Sequence, residues 1–332
     1  MSLAAEKPIE SRTSAALFTL AALLVIGASA ALSGWFPLTF SIVAVILFAG
    51  PHNWMELRYF LGRLPARWGS RRWFYTIGLG GTLLLSAMFI LISVPWQWQT
   101  STWTIVMSSW NTLFLLWVAL LIWLRGQEKP GDDRFWVWPV ACLLIAGAWA
   151  MPMWWDIVLV YLHPVIALCF LQREIRRRHP GWLPCYYAAG AFAVGMLGLL
   201  WWRLGDSPSL PGNDAMTQRI AWVAGSGVFE TVSTRFLVAA HTYMEMLHYA
   251  AWVVAIPLLA RNARSWKTDD APLAKKSPGW RRVVRLLVFG GAAVVVVLWA
   301  CFAVDPVLTR NVYFTFAIAH VLAEFTFLIG TV

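Results

Sequence analysis

A run of about twenty apolar residues is long enough to cross the hydrocarbon core of a bilayer as a helix. Inside that core every backbone N–H and C=O must be satisfied within the chain, which leaves helices or closed barrels as the only solutions. The sequence strings together ten such runs, at about 15–32, 37–58, 73–94, 103–124, 135–151, 154–172, 184–203, 235–260, 283–303 and 311–331. None shows the alternation of a barrel strand, so the expected fold is all-α: a polytopic integral membrane bundle of about ten helices, one transmembrane domain over residues 1–332. The first run ends in Ala28-Ser-Ala-Ala-Leu-Ser33, which imitates a signal-peptide cleavage site. It is long for a signal segment and reads as the first helix.

Composition excludes the other classes. Charged residues make up 13% of the chain and hydrophobic ones 60%, against about 25% charged in soluble domains. The net charge of +10 raises nucleic acid as a partner, but the basic residues sit in short clusters between apolar runs, where they set topology. With a cytoplasmic N-terminus, 22 of the 26 Lys and Arg fall on the cytoplasmic side, leaving Arg203, Arg219, Arg235 and Arg310 outside. Both termini are then cytoplasmic, and nucleic acid is set aside. Gly205–Asp214 and the half-polar stretch up to Arg235 are expected at the outer surface. Many of the 23 tryptophans, such as Trp96, Trp98, Trp154, Trp155, Trp201 and Trp202, stand at span ends, as an interfacial belt requires. Cys142, Cys169, Cys185 and Cys301 are widely spaced and read as packing residues, not as disulfides or thiolate ligands.

Against this apolar background the ionisable residues stand out, because each is costly in lipid and is by default a functional candidate. His241, Glu245 and His248 lie at i, i+4 and i+7 of the eighth run and share one helix face. His52 precedes Glu56 by four residues in the second run, and His320 precedes Glu324 by four in the tenth. The sixth run carries His163, with Asp156 seven residues before it; the sixth histidine, His179, sits in a basic loop. Runs two, six, eight and ten all cross in the same direction. At 1.5 Å per residue, His163, His241 and His320 lie roughly 10–15 Å and His52 and His248 roughly 20 Å below the outer surface.

A lone membrane histidine is usually a packing residue with a hydrogen bond to a neighbouring helix, and His163 or Asp156 taken singly reads that way. Several imidazoles and carboxylates on so few helices do not, since each buried carboxylate needs a cation or a proton. Neutral imidazole with carboxylate suits iron, zinc or manganese. The glutamates are then either ligands, as in helix-bundle di-metal sites, or acceptors that set imidazole tautomers.

The string Gly50-Pro51-His52-Asn-Trp-Met-Glu56 resembles the Gly-x-Pro-His-x-x-x-Asp element of the bacterial membrane-bound, carotene-cleaving, retinal-forming dioxygenases of the Brp/Blh type. The order of the remaining sites is similar as well: His163 on a middle helix, His241 and His248 together, and His320 with Glu324 on the last helix. Glu stands where that family has Asp, the paired histidines are further apart here, and Asp156 precedes its histidine instead of following it. The resemblance implies a non-haem iron held by histidines that activates dioxygen toward a polyene, and a bacterial plasma-membrane location.

The expected function is therefore a membrane-embedded oxygenase, its metal Fe(II), acting on a lipophilic, carotenoid or isoprenoid substrate that arrives from the bilayer. His52, His163, His241, His248 and His320 are its expected metal ligands; Glu56, Glu245 and Glu324 are ligands or their partners. Two other functions use the same residue types: a b-type haem protein, with two histidines as axial ligands, and a proton-coupled or metal-ion transporter.

Overall fold

In the computed structural model the described residues are 12–93, 100–128, 131, 132, 134–212, 214–259 and 268–331, and among them there is no strand. The polar head around Lys7, the Trp96-Gln-Trp98 turn, Asn213 and the first part of the loop that begins at Arg261 lie outside the described residues.

All ten expected helices are present. They are α1 (Arg12–Trp35), α2 (Pro37–Arg63), α3 (Arg72–Ser93), α4 (Thr100–Gly126), α5 (Val137–Ala150), α6 (Pro152–Arg178) and α7 (Leu183–Leu204). A short α8 (Ala215–Val223) follows, then α9 (Thr234–Ala250), which runs without a break through a π-helical turn (Ala251–Ala255) into α10 (Ile256–Leu259). The last two are α11 (Pro278–Val304) and α12 (Pro306–Thr331). By length and composition, eight of the described helices are long and apolar enough to cross a membrane. The two remaining expected spans are α5, with 14 residues, and α9, with 17 before its π turn.

The helices group into two compact units, and the boundaries between them fall inside α2 and α6. The first unit comprises Met1–Ala44 and Ala167–Ala260. Its core joins α1, α7 and α9 through Ile26, Ala30, Ala189, Leu200, Tyr243 and Leu247. Tyr243, fully buried, donates its hydroxyl to the Ala193 carbonyl at 2.9 Å, because a phenol taken out of water needs an acceptor. Ser233 caps α9, and Asp214 caps α8 by accepting the Thr217 N–H at 2.9 Å and its hydroxyl at 2.6 Å. The half-polar surface stretch is thus partly helical. α8 buries Thr217, Ile220 and Ala221 and exposes Gln218, Arg219 and Trp222.

The second unit comprises Val45–Ile166 and Arg261–Val332. Here α12 packs on α3 at close range because small residues face it. A Cβ added at Gly78 would stand 2.6 Å from the Thr326 methyl, and the Thr326 hydroxyl bonds the Gly78 carbonyl at 3.3 Å. This is the small-residue packing expected of helices in lipid, where close backbone approach replaces a hydrophobic driving force. Phe327 stacks on Phe60 of α2 at 4.2 Å and Phe325 meets Phe114 of α4 at 5.2 Å. The second half of α2 is tied to α11 and α12 by tryptophan and asparagine donors. Trp54 bonds the Val288 carbonyl at 2.8 Å, Trp299 the Ile46 carbonyl at 2.9 Å, and Asn53 the Tyr313 hydroxyl at 3.3 Å.

Candidate metal centre

Within the second unit three helices bring five of the expected site residues together: His52 and Glu56 from α2, His163 from α6, and His320 and Glu324 from α12. The i, i+4 spacing on α2 and on α12 puts each His/Glu pair on one face, and the packing just described points those faces inward. His52 and Glu56 are each 1% exposed and Glu324 is fully buried. Each α2 and α6 histidine also borders a proline, as Pro51-His52 and His163-Pro164. An interior proline releases a carbonyl from the helix ladder.

Hydrogen bonds settle which ring nitrogen faces which way. His52 holds its Nδ1 2.9 Å from the Phe48 carbonyl; a carbonyl can only accept, so Nδ1 carries the proton and Nε2 is left as the lone-pair nitrogen. His163 Nδ1 lies 2.9 Å from Glu324 Oε2, which leaves its Nε2 in the same role. That Nε2 stands 3.1 Å from His320 Nε2. The three rings cluster: the His320 centroid is 5.1 Å from that of His52 and 4.9 Å from that of His163.

These residues fit a metal ion on three counts. First, two nitrogens bound at about 2.1 Å to one ion stand about 3.0 Å apart at a right angle and about 3.4 Å apart in a tetrahedron, and the 3.1 Å between His163 and His320 falls in that interval. Second, His52, Glu56 and His320 offer ligand atoms that all lie within 4.8 Å of one another. Third, neither carboxylate oxygen of Glu56 has a hydrogen-bond donor among the described residues. An ionised carboxylate so enclosed costs several kcal/mol unless a cation or proton answers it. Glu324 takes the carboxylate-on-histidine position that sets tautomer and ring angle in metal sites, which separates its role from that of Glu56.

The other three expected residues, His241, Glu245 and His248, are on α9 in the first unit. All are buried. His241 Nδ1 and Glu245 Oε2 are 3.7 Å apart, too far for a good hydrogen bond. The π turn begins three residues after His248, and such turns inside α-helices recur at functional sites. His179, expected to stand apart, stacks on Trp182 at 4.3 Å.

Asp156 has a partner that sequence reading missed. Asn111 of α4, fully buried, reaches its Oδ1 at 3.5 Å. The signal was the polar row Ser108, Asn111 and Thr112, at i, i+3 and i+4 in an otherwise apolar run. No family model matches the chain, and neither does a curated protein or a solved structure.

Proposed function

We propose that the second unit holds a metal ion, iron(II) in the simplest reading, and that the protein is a membrane oxygenase acting on a lipophilic substrate such as an isoprenoid or polyene. The observation that carries it is Glu56: a carboxylate 1% exposed, without a donor among the described residues, beside the ligand atoms of His52 and His320. His52, His163 and His320 would hold the ion through Nε2 and Glu56 through its carboxylate. Glu324 holds the His163 proton at Nδ1 and keeps that ring in place. Three imidazoles and one carboxylate would be its donor set, and redox chemistry is what the metal would supply when bound. The apolar helices give a polyene or acyl chain direct passage from lipid. A b-type haem is supported less well, since nitrogens 3.1 Å apart leave no room for a macrocycle between them.

The test is metal analysis with an absorption spectrum on protein purified in detergent. About one iron per chain without a Soret band, falling to background in Glu56→Ala, is the expected result. A Soret band would establish haem, and metal flux in sealed vesicles would establish a transporter. The topology proposed with this reading has both termini in the cytoplasm of a bacterium, from the distribution of basic residues. A cysteine placed at Pro208 then reacts with an impermeant reagent added outside, and one placed at Lys275 does not.

A further inference from the structure

Helices α6 and α7 are both among those long and apolar enough to cross a membrane, so the short turn that joins them stands at a membrane surface. α6 changes character as it arrives there. Its apolar run gives way to Arg173, Arg176, Arg177 and Arg178, and cations in a last helical turn are favoured by the negative end of the helix dipole. The turn itself is held firmly. Pro180 opens it, and the Trp182 ring, 9% exposed, stacks on His179 at 4.3 Å and on Phe18 of α1 at 5.1 Å. Two successive tyrosines then tie α7 to α6. Tyr186 donates its hydroxyl to the Leu168 carbonyl at 3.0 Å, and one turn further along α6 the Gln172 amide donates to the Tyr187 hydroxyl at 2.7 Å.

Leu168, Gln172 and Arg176 are spaced at i, i+4 and i+8, so Arg176 follows the two tyrosine contacts along the same face of α6. The outer end of this row offers donors that the chain does not use. A hydroxyl that accepts an amide N–H still has its own proton to donate, and Tyr187 is 52% exposed. Arg176 and Arg177 are exposed, and among the described residues neither has a carboxylate partner, Glu174 being fully buried and taken by Arg178 at 3.1 Å. Two other basic helix ends are answered from within the chain, Arg281 and Arg285 by Asp269, and Arg71 and Arg125 by Glu128. The α6 end looks outward for its anion.

We propose that the α6–α7 turn binds the phosphate of an anionic phospholipid, with Arg176 supplying the charge, Tyr187 a neutral donor and Arg177 a second cation at the edge. A guanidinium matches phosphate with paired N–H donors, and basic sites between membrane helices at the surface hold lipid head groups in this way. The acyl chains then run along α7 past Val194, seven residues from Tyr187 on the same face and 72% exposed. The site is independent of the metal reading. Native mass spectrometry of detergent-solubilised protein, titrated with dioleoylphosphatidylglycerol or with the zwitterionic dioleoylphosphatidylcholine, tests it. Wild type should bind the anionic lipid at least tenfold more tightly. R176Q should weaken that binding about fivefold, the worth of one basic residue near an anionic surface, and Y187F about threefold; the double variant should lose less than the product, because both groups hold one phosphate. Binding of phosphatidylcholine and the melting temperature in it should not change, which guards against a folding defect. R282Q, at an exposed arginine near the start of α11, should bind phosphatidylglycerol like wild type. Equal affinity of wild type for the two lipids overturns the site. So does a loss in R282Q as large as that in R176Q, which would make the effect one of diffuse surface charge, or wild-type affinity in Y187F, which would leave no built site. Inorganic phosphate that binds as tightly as phosphatidylglycerol, with the same loss in R176Q, makes the ligand a free anion and overturns the lipid assignment.

Discussion

The two units present the same residue types on different numbers of helices. In the second, five ionisable side chains arrive from three helices, and the rings and carboxylates stand within hydrogen-bond or coordination reach of one another. In the first, three stand on one helix, and His241 Nδ1 lies 3.7 Å from Glu245 Oε2. A single helix can align donors at i, i+4 and i+7, but all of them look out from the same side. Enclosing an ion takes donors from several directions, which only packed helices supply.

Four measurements break or sharpen this contrast. The largest effect is expected at the rings themselves. His52→Ala and His320→Ala should each empty the metal site, while His179→Ala, whose ring stacks on Trp182, leaves it full. His241→Ala should lower metal content by less than His320→Ala. A larger loss at His241 would reverse the ranking of the two units.

Next comes Glu324→Gln. The amide oxygen still accepts from His163 Nδ1, but the charge that raises ring basicity is gone, and metal affinity should fall about 10–100-fold. Affinity equal to wild type would reduce Glu324 to a packing residue.

The third compares glycines. A Cβ at Gly81 of α3 would fall 2.0 Å from the Trp117 indole nitrogen, whose N–H bonds the Ile77 carbonyl at 2.9 Å. Gly81→Ala should cost about 1–3 kcal/mol, as overpacking does. Gly27 of α1, in the first unit, has nothing within 4 Å of the same position, and Ala there should be neutral or slightly stabilising through helix propensity. Thermal melts of the two variants in detergent decide it; equal melting temperatures would refute the packing contrast.

The smallest effect belongs to the surface. Both hydrogen bonds from Thr217 hold the Asp214 carboxyl below the ordinary carboxylate range. A depressed value means the cap is at full strength above the unfolded-state value and is lost as pH falls through the lower, folded one. Acid should therefore loosen α8 in wild type, and Asp214→Ala should show a loosened α8 that no longer responds to acid. Amide exchange at Thr217 against pH reads this directly.

The helices were legible because lipid allows so few alternatives. Ten apolar runs became ten helical segments with ends within a few residues of expectation, apart from α2 and α6, which run five and six residues further, and α11 and α12, which begin about five residues earlier. The candidate residues were legible for the same reason, since a histidine or glutamate in an apolar run has no solvent to explain it. Their grouping was not. Nothing in the spacing of His163 pairs it with Glu324, 161 positions away, or turns its other nitrogen toward His320. Asn111 was overlooked because a neutral amide is not ionisable and so does not stand out as a charge in lipid.

By itself, then, the sequence determined that this chain is helical, that eight or more of its helices suit a membrane, and which ionisable side chains pay the cost of burial there. Those outcomes follow from local physics: backbone satisfaction, side-chain transfer and helical periodicity. The tertiary structure alone decided which of those side chains meet and which nitrogen each ring presents. Such facts depend on the packing of residues far apart in the chain, on glycines at Gly78 and Gly81 that let α3 close on α12 and α4, and no local rule carries that information.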